Sequence, residues 1–462
     1  MSWSSQEIAE RAVQLCRADG CLVMVTEQSE ANVRWASNAL TTDGTARSRR
    51  VTVVATVAGA EGTSAGVVSA SGDVAGMLAD LVSTAEQAAR TADPAEDAQP
   101  LLTSAGAGTD WLAPIPETSM AAFGTFAPSL GAAFAEAAAA GRALYGYAED
   151  CVRATFLATS SGLRLRTDQQ SSYIELTGRS VDGRRSAWAG VAGDLSEAAV
   201  LELYRQVDRR LGWADRRLEL PPGRYPVLLP PVAVADLINY AYWAADARRT
   251  ADGQTVYSTR DGGTRLGERL SSVPLTLRGD PGEPGLECAP FVLVTAGSEA
   301  PVSYFDSGLP LHCTNWIDGG VLGALVQTRH SAALTGLPLT PHIDNLVLEG
   351  AGAAGSLDDL IAGLDRGLLL TTVWYIREVD PASLLLTGLT RDGVFLVERG
   401  EVVGAVNNFR FNESPVGLLG RVQRVGTSVP VRARETGEAF AHCAMPPLQV
   451  ADFTMSSVSP AV

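Results

Sequence analysis

The segment LELPPGRYPVLLPP, residues 218–231, constrains the fold more than any other, because it carries five prolines, each fixing φ and removing a backbone donor. We place a domain boundary near Leu220 on that ground. The division gives an N-terminal domain over residues 1–220 and a C-terminal domain over 221–462, each large enough for its own interior.

Periodicity supplies the elements on either side. After an amphipathic opening helix, CLVMVTEQ, ANVRWASN and RRVTVVATVAG read as separate strands. Residues 73–92, DVAGMLADLVSTAEQAARTA, space apolar positions three and four apart as a helix does, and a nearly polyalanine helix follows at 129–140. Strands are expected from Asp150 to Gly193, then a helix in LSEAAVLELYRQVDRRLGW. In the second half, VAVADLINYAYWAADARR predicts one helix of about four turns. SLDDLIAGLDRG predicts a short helix with Ser356 as N-cap and Gly367 as its stop. SLLLTGLTRDGVFLVERGEVVGAVNNFRF predicts consecutive strands joined by hairpin turns at Arg391-Asp392-Gly393 and Arg399-Gly400-Glu401. The expected class is α+β: a mixed helix and sheet N-terminal domain and a β-dominated C-terminal domain.

Charge and composition exclude several functions. A net charge of −16 disfavours binding to nucleic acid or to an anionic membrane, leaving small molecules, peptides or proteins as partners. All 36 basic residues are Arg, so chemistries that need a lysine are excluded: the Walker A phosphate site, Schiff-base catalysis and a Ser–Lys dyad. No long uninterrupted apolar run predicts a membrane span, and the first residues lack a leader pattern, so the cytoplasm is the expected location. The six cysteines are scattered without a CxxC pair, as reduced thiols are.

Candidate chemistry concentrates in the second half. The four histidines stand at 312, 330, 342 and 442, and there is no HExxH or HExxxH. Two dipeptides, His312-Cys313 and His442-Cys443, contain good zinc ligands, and one residue from each converging with His342 and Asp344 would form a site. Adjacency argues against both members of a pair meeting one ion, because neighbours on a strand point to opposite faces. Asp306 and Asp318 precede glycines, as turn residues do. The run NNFRFNES is different: Asn407, Asn408, Arg410 and Asn412, with two aromatics among them, combine amide donors and a guanidinium able to grip a peptide backbone or carboxylate. Replacing Arg410 with Ala is expected to weaken peptide binding or assembly.

Taken in order, LPPGRYPVLLPP leading into a helix, GLPLHCTNWIDGG, TGLPLTPHIDNLVLEG, GLLLTTVWYIREVDPASLLLTGLTRDGVFLVERGEVVGAVNNFRFNESP and PPLQVADFTMSS resemble the TldD/PmbA family, as does the earlier ANVRWASNALTTDG. The resemblance implies two α+β domains, an intracellular location and a dimer enclosing a cavity where extended or unfolded peptides are cut. In the catalytic TldD-type subunit it implies a helix bearing HExxxH, two zinc-binding histidines with a glutamate as general base, and a cysteine nearer the C-terminus. Zinc there lowers the pKa of its water and polarises the peptide carbonyl.

Here the matching helix offers Asn239, Tyr240 and Trp243, and from Tyr225 to Gly267 there is neither His nor Glu. We therefore assign no catalytic or metal residue to this chain. The resemblance implies a metal-free TldE-like subunit, with zinc and HExxxH in a TldD-type homologous partner, a peptide as substrate, and the Asn407–Asn412 run, Asp318, His342 and Asp344 near the interface or cavity. Two alternatives stay open: a self-sufficient amide or C–N hydrolase built on His312, Cys313, His442 and Cys443, or a peptide-binding homodimeric scaffold.

Overall fold

Strands β1 (Gly20–Ala36), β2 (Ala39–Gly59), β3 (Gly62–Ser71), β4 (Arg142–Thr159), β5 (Arg164–Ser180) and β6 (Ser186–Ala192) form an antiparallel sheet in the order β3-β2-β1-β4-β5-β6. They are seen in a computed structural model that describes residues 3–103, 110–294, 301–437 and 442–460. The two strands expected at CLVMVTEQ and ANVRWASN are one strand of 17 residues. Its polar middle does not end it, because Gln28 is paired on both sides, with Ser48 and with Arg153, and its backbone groups stay satisfied.

Alternation along these strands decides what each face meets. Val23 and Val25 pack under helices α1 (Ser5–Leu15) and α2 (Leu78–Thr91), while Val33 and Trp35 pack under α3 (Ala127–Ala139) and α4 (Glu197–Trp213). Val200, Leu203, Val207 and Leu211 line the inner stripe of α4, each contributing about 1.5–3 kcal/mol when buried. The opposite face of the sheet turns toward the second half of the chain. Tyr173 and Trp188 belong to the same core cluster as Leu237 and Leu370.

That second half makes two more sheets. One runs β11 (Val321–Leu322), β10 (Thr314–Asp318), β9 (Leu275–Gly279), β12 (Asn345–Gly350), β19 (His442–Met445), β18 (Val429–Val431). The other runs β13 (Arg366–Asp380), β8 (Gly223–Leu229), β20 (Leu448–Val458), β16 (Phe409–Glu413), β14 (Leu385–Glu398), β15 (Glu401–Val406), β7 (Arg217–Leu218), with β17 (Val422–Val425) beside β20. The fold is thus α+β. Helix α5 (Pro231–Trp243) lies between these two sheets, in one core with Leu346 of β12 and Leu370 of β13.

Several local expectations are corrected. The proline-rich segment contains strand β8, flanked on both sides, and Pro226 is tolerated there because pairing with β13 begins only at Val227 and the β20 register shifts across it. The predicted four-turn helix stops at Trp243, and α6 (Ala247–Ala251) starts anew. Asp246 takes an extended conformation there and accepts from the Arg249 N–H, so its side chain starts a second helix. Helix α8 (Leu357–Ala362) has Ser356 as N-cap but ends at Gly363; Gly367 lies in β13. Arg391-Asp392-Gly393 is a bulge inside β14, with positive φ at Asp392 and Gly393, whereas Arg399-Gly400 is the hairpin turn between β14 and β15. A side chain at Gly393 would meet the Phe395 ring at 2.5 Å.

Candidate functional site

Pro231 occupies the first turn of α5, where its missing N–H costs nothing, and ten of the helix's 13 residues are buried. Two of the ten are polar. Asp236 and Asn239, fully buried and three apart on one face, look onto residues 434–436 and Cys443. The Asp236 carboxylate accepts from the backbone N–H groups of Glu435 at 2.9 Å and of Arg434 and Thr436 at 3.3 Å each. The Asn239 amide donates to Thr436 Oγ1 at 2.8 Å, and the Cys443 thiol points to Asn239 Oδ1 at 3.8 Å. Burial pushes Asp236 up to about 7 against the pull of those three N–H groups, and burial likewise raises the Cys443 thiol.

This donor set does not fit zinc. An amide is a poor ligand, the carboxylate oxygens are already spent on N–H groups, and the thiol is held protonated. What the arrangement does is clasp an extended segment against α5.

The clasped segment also reaches the N-terminal sheet. Arg432 lies over the Tyr173 ring at 4.7 Å with Glu149 at 4.0 Å. Arg434 lies over Trp188 at 4.8 Å and Trp374 at 5.1 Å and pairs with buried Asp392 at 2.5 Å. Glu435 accepts from the Ile376 N–H at 2.8 Å. Around them Tyr147 donates to Glu149, and Tyr173 and Trp188 both donate to Glu175. Sequence reasoning passed over these residues, although VRARE holds a signal: on an extended chain Arg432 and Arg434 fall on one face.

The expected Asn407–Asn412 cluster is divided by strand alternation. Phe409 and Phe411 are fully buried core residues, so neither aromatic is available to a ligand, contrary to the grouping expected from sequence. Arg410 is exposed, with Thr387 Oγ1 at 3.5 Å, and Asn412 leaves its Oδ1 buried without a partner. Asn407 Oδ1 accepts from the Leu220 N–H at 2.8 Å, and Asn408 Oδ1 from Thr390 at 3.2 Å. Asn407 and Asn408 line a cavity of about 270 Å³, together with Arg184, Arg185, Arg217 and Asp392.

The histidine–cysteine pairs separate as well. Parallel pairing of β12 with β19 sets His442 beside Asn345, and the neighbouring Asp344 lies 3.3 Å from His342, itself packed against Tyr242 at 4.9 Å. His442 is lowered by burial, with Asp344 acting in the opposite direction. Cys443 faces the other way, into the clasp. Exposed His312 and Cys313 precede β10, two strands from β12 in that sheet, so the structure does not assemble the four residues. Among the described residues no group of three or more His, Cys, Asp and Glu is placed to hold a metal ion. Asp318 ends β10 at the turn formed by Gly319 and Gly320, both with positive φ.

Comparison with solved structures gives whole-chain matches at 17 % identity, which establish the fold. TldE from Thermococcus kodakarensis superposes with a TM-score of 0.77 over 97 % of this chain and 99 % of its own. A putative modulator of a DNA gyrase from Thermotoga maritima gives 0.74 over 98 % and 100 %, and one from Bacteroides thetaiotaomicron gives 0.72 over 98 % and 99 %. Comparison with curated proteins gives no significant match. The family model described as the PmbA/TldA metallopeptidase C-terminal domain matches residues 222–457, just over half of the chain. On that match, and with the same fold continuing through the N-terminal half, this chain belongs to the PmbA/TldD family.

Proposed function

We propose that this chain is the metal-free, TldE-like subunit of a cytoplasmic two-subunit zinc peptidase, forming a wall of the cavity that takes extended or unfolded peptides. One observation carries the reading. On the helix where a TldD-type subunit holds its HExxxH, this chain has Asp236 and Asn239, and both are used up in fixing residues 434–436. Zinc and the general base then belong to a homologous partner, which supplies the nucleophilic water, while this chain contributes shape and surface. The Arg410 face of β16 is its surface for partner and peptide.

The test is co-purification with an HExxxH-bearing homologue from the same organism, followed by zinc content and peptide hydrolysis of each chain and of the mixture. Cleavage by the mixture alone, with zinc travelling with the partner, is the expected result. Cleavage by this chain alone, or about one zinc per chain in its absence, sinks the reading.

A further inference from the structure

The cavity beside Asn407 plays no part in the reading above. Five pieces of chain distant in sequence build it: the turn between β5 and β6 with Arg184, β7 with Arg217, the Asp392–Gly393 bulge of β14, the end of β15 at Asn407, and Ser459 just after β20. Its volume of about 270 Å³ suits one terminal residue or a small organic acid.

The polar groups in its wall are not balanced among themselves. Asp392 forms an ion pair with Arg434 at 2.5 Å and accepts from the Ser186 hydroxyl at 2.7 Å. Arg185 is paired with Asp215. Arg217 donates to the Arg184 carbonyl, but among the described residues neither Arg184 nor Arg217 has an ion pair. The Asn407 amide is fixed through Oδ1 by the Leu220 N–H, and this leaves Nδ2 buried with no acceptor. A buried donor without an acceptor is destabilising until something supplies one. Two guanidinium groups and an amide N–H are what a carboxylate accepts, and Val394 and Phe395 offer an apolar wall beside them. In a chain of net charge −16, a wall whose three arginines outnumber its two acids, Glu219 and Asp392, runs against the general field and draws anions locally.

We propose that this cavity is a carboxylate-binding site, with Asn407 Nδ2, Arg184 and Arg217 as its donors. The carboxylate is either the free C-terminus of a short peptide or a small organic acid. The site does not depend on the subunit's having a catalytic partner.

Titration calorimetry of the full chain with acetyl-Ala-Ala, with the same peptide as its C-terminal amide, with acetate and with inorganic phosphate tests it. Saturable binding of the acid but not the amide is expected, weakening with added salt. Arg217→Gln should weaken binding about tenfold, the loss of one charge-assisted hydrogen bond. Asn407→Asp keeps the acceptor for the Leu220 N–H but places a negative charge where the donor stood, and should remove binding. Acetate binding as tightly as the peptide acid supports the site and names the small acid as its occupant. No binding, equal binding of acid and amide, a preference for phosphate, or unchanged affinity in Arg217→Gln overturns it. Arg217 is exposed, so that variant remains informative if Asn407→Asp does not fold.

Discussion

Two polar clusters of this molecule behave in opposite ways. At the α5 clasp the carboxylate and amide of Asp236 and Asn239 are matched by N–H groups, a hydroxyl and a thiol of the chain itself. At the end of β15 the Asn407 amide has a donor to spare, beside the guanidinium groups of Arg184 and Arg217, which have no ion pair among the described residues. Both clusters lie where elements distant in sequence meet, yet Asp236 and Asn239 leave no polar atom for a ligand to satisfy and Asn407 does. Self-satisfaction marks a polar cluster that holds the fold together. An unmet donor beside a cavity marks one able to bind something else.

The largest effect that would break this contrast is at Asp236. Asp236→Ala strands three buried backbone N–H groups and opens a void, and should cost about 3–5 kcal/mol by chemical denaturation. A loss below about 1 kcal/mol would mean that the clasp is not structural. Arg434→Ala should follow, at about 3 kcal/mol, because it leaves Asp392 as a buried charge and removes the cation from between two tryptophans. Arg434→Met, which keeps the packing but not the charge, separates the two contributions.

The pH dependence comes next. Asp236 is pushed up to about 7 in the fold against about 3.9 unfolded, so the folded state binds the proton more tightly. Its contribution is therefore present at low pH and is lost as pH rises from about 4 to about 7. Unfolding free energy measured across that window should fall in the native chain relative to Asp236→Asn, which does not titrate. A difference that stays flat with pH would show that the three N–H groups hold the carboxyl ionised throughout.

The sequence made the regular parts of this contrast visible and hid the rest. Periodicity located α2, α4, α8 and the β14–β15 hairpin because each is decided by its own residues: apolar spacing, the Ser356 cap, the Arg399-Gly400 turn. It split β1, since only pairing on both sides carries a strand across its polar middle. It ran α5 into α6, since Asp246 reads as an ordinary helix-face residue until its side chain is seen to cap. It read the Asp392–Gly393 bulge as a hairpin turn because both need positive φ. At the candidate site, composition singled out Asn407–Asn412 but could not tell which members share a face with what. Arg184 and Arg217 were invisible there, since they reach Asn407 only through the joint between sheets.

The smallest effect is expected at Arg410, and it sharpens the comparison most. Arg410 is exposed on β16, its guanidinium has Thr387 Oγ1 at 3.5 Å, and it does not line the cavity beside Asn407. Arg410→Ala should change stability by no more than about 0.5 kcal/mol and leave carboxylate titration of the isolated chain unaltered. Its role, if the run serves assembly, lies in the complex: affinity for an HExxxH-bearing partner, or for peptide in the mixture, should drop. Unchanged affinity in both would leave Asn407 as the functional member of the run and Arg410 as a solvated strand residue. Loss of carboxylate binding in the isolated variant would instead show that the two faces of the run communicate, which alternation along β16 does not predict.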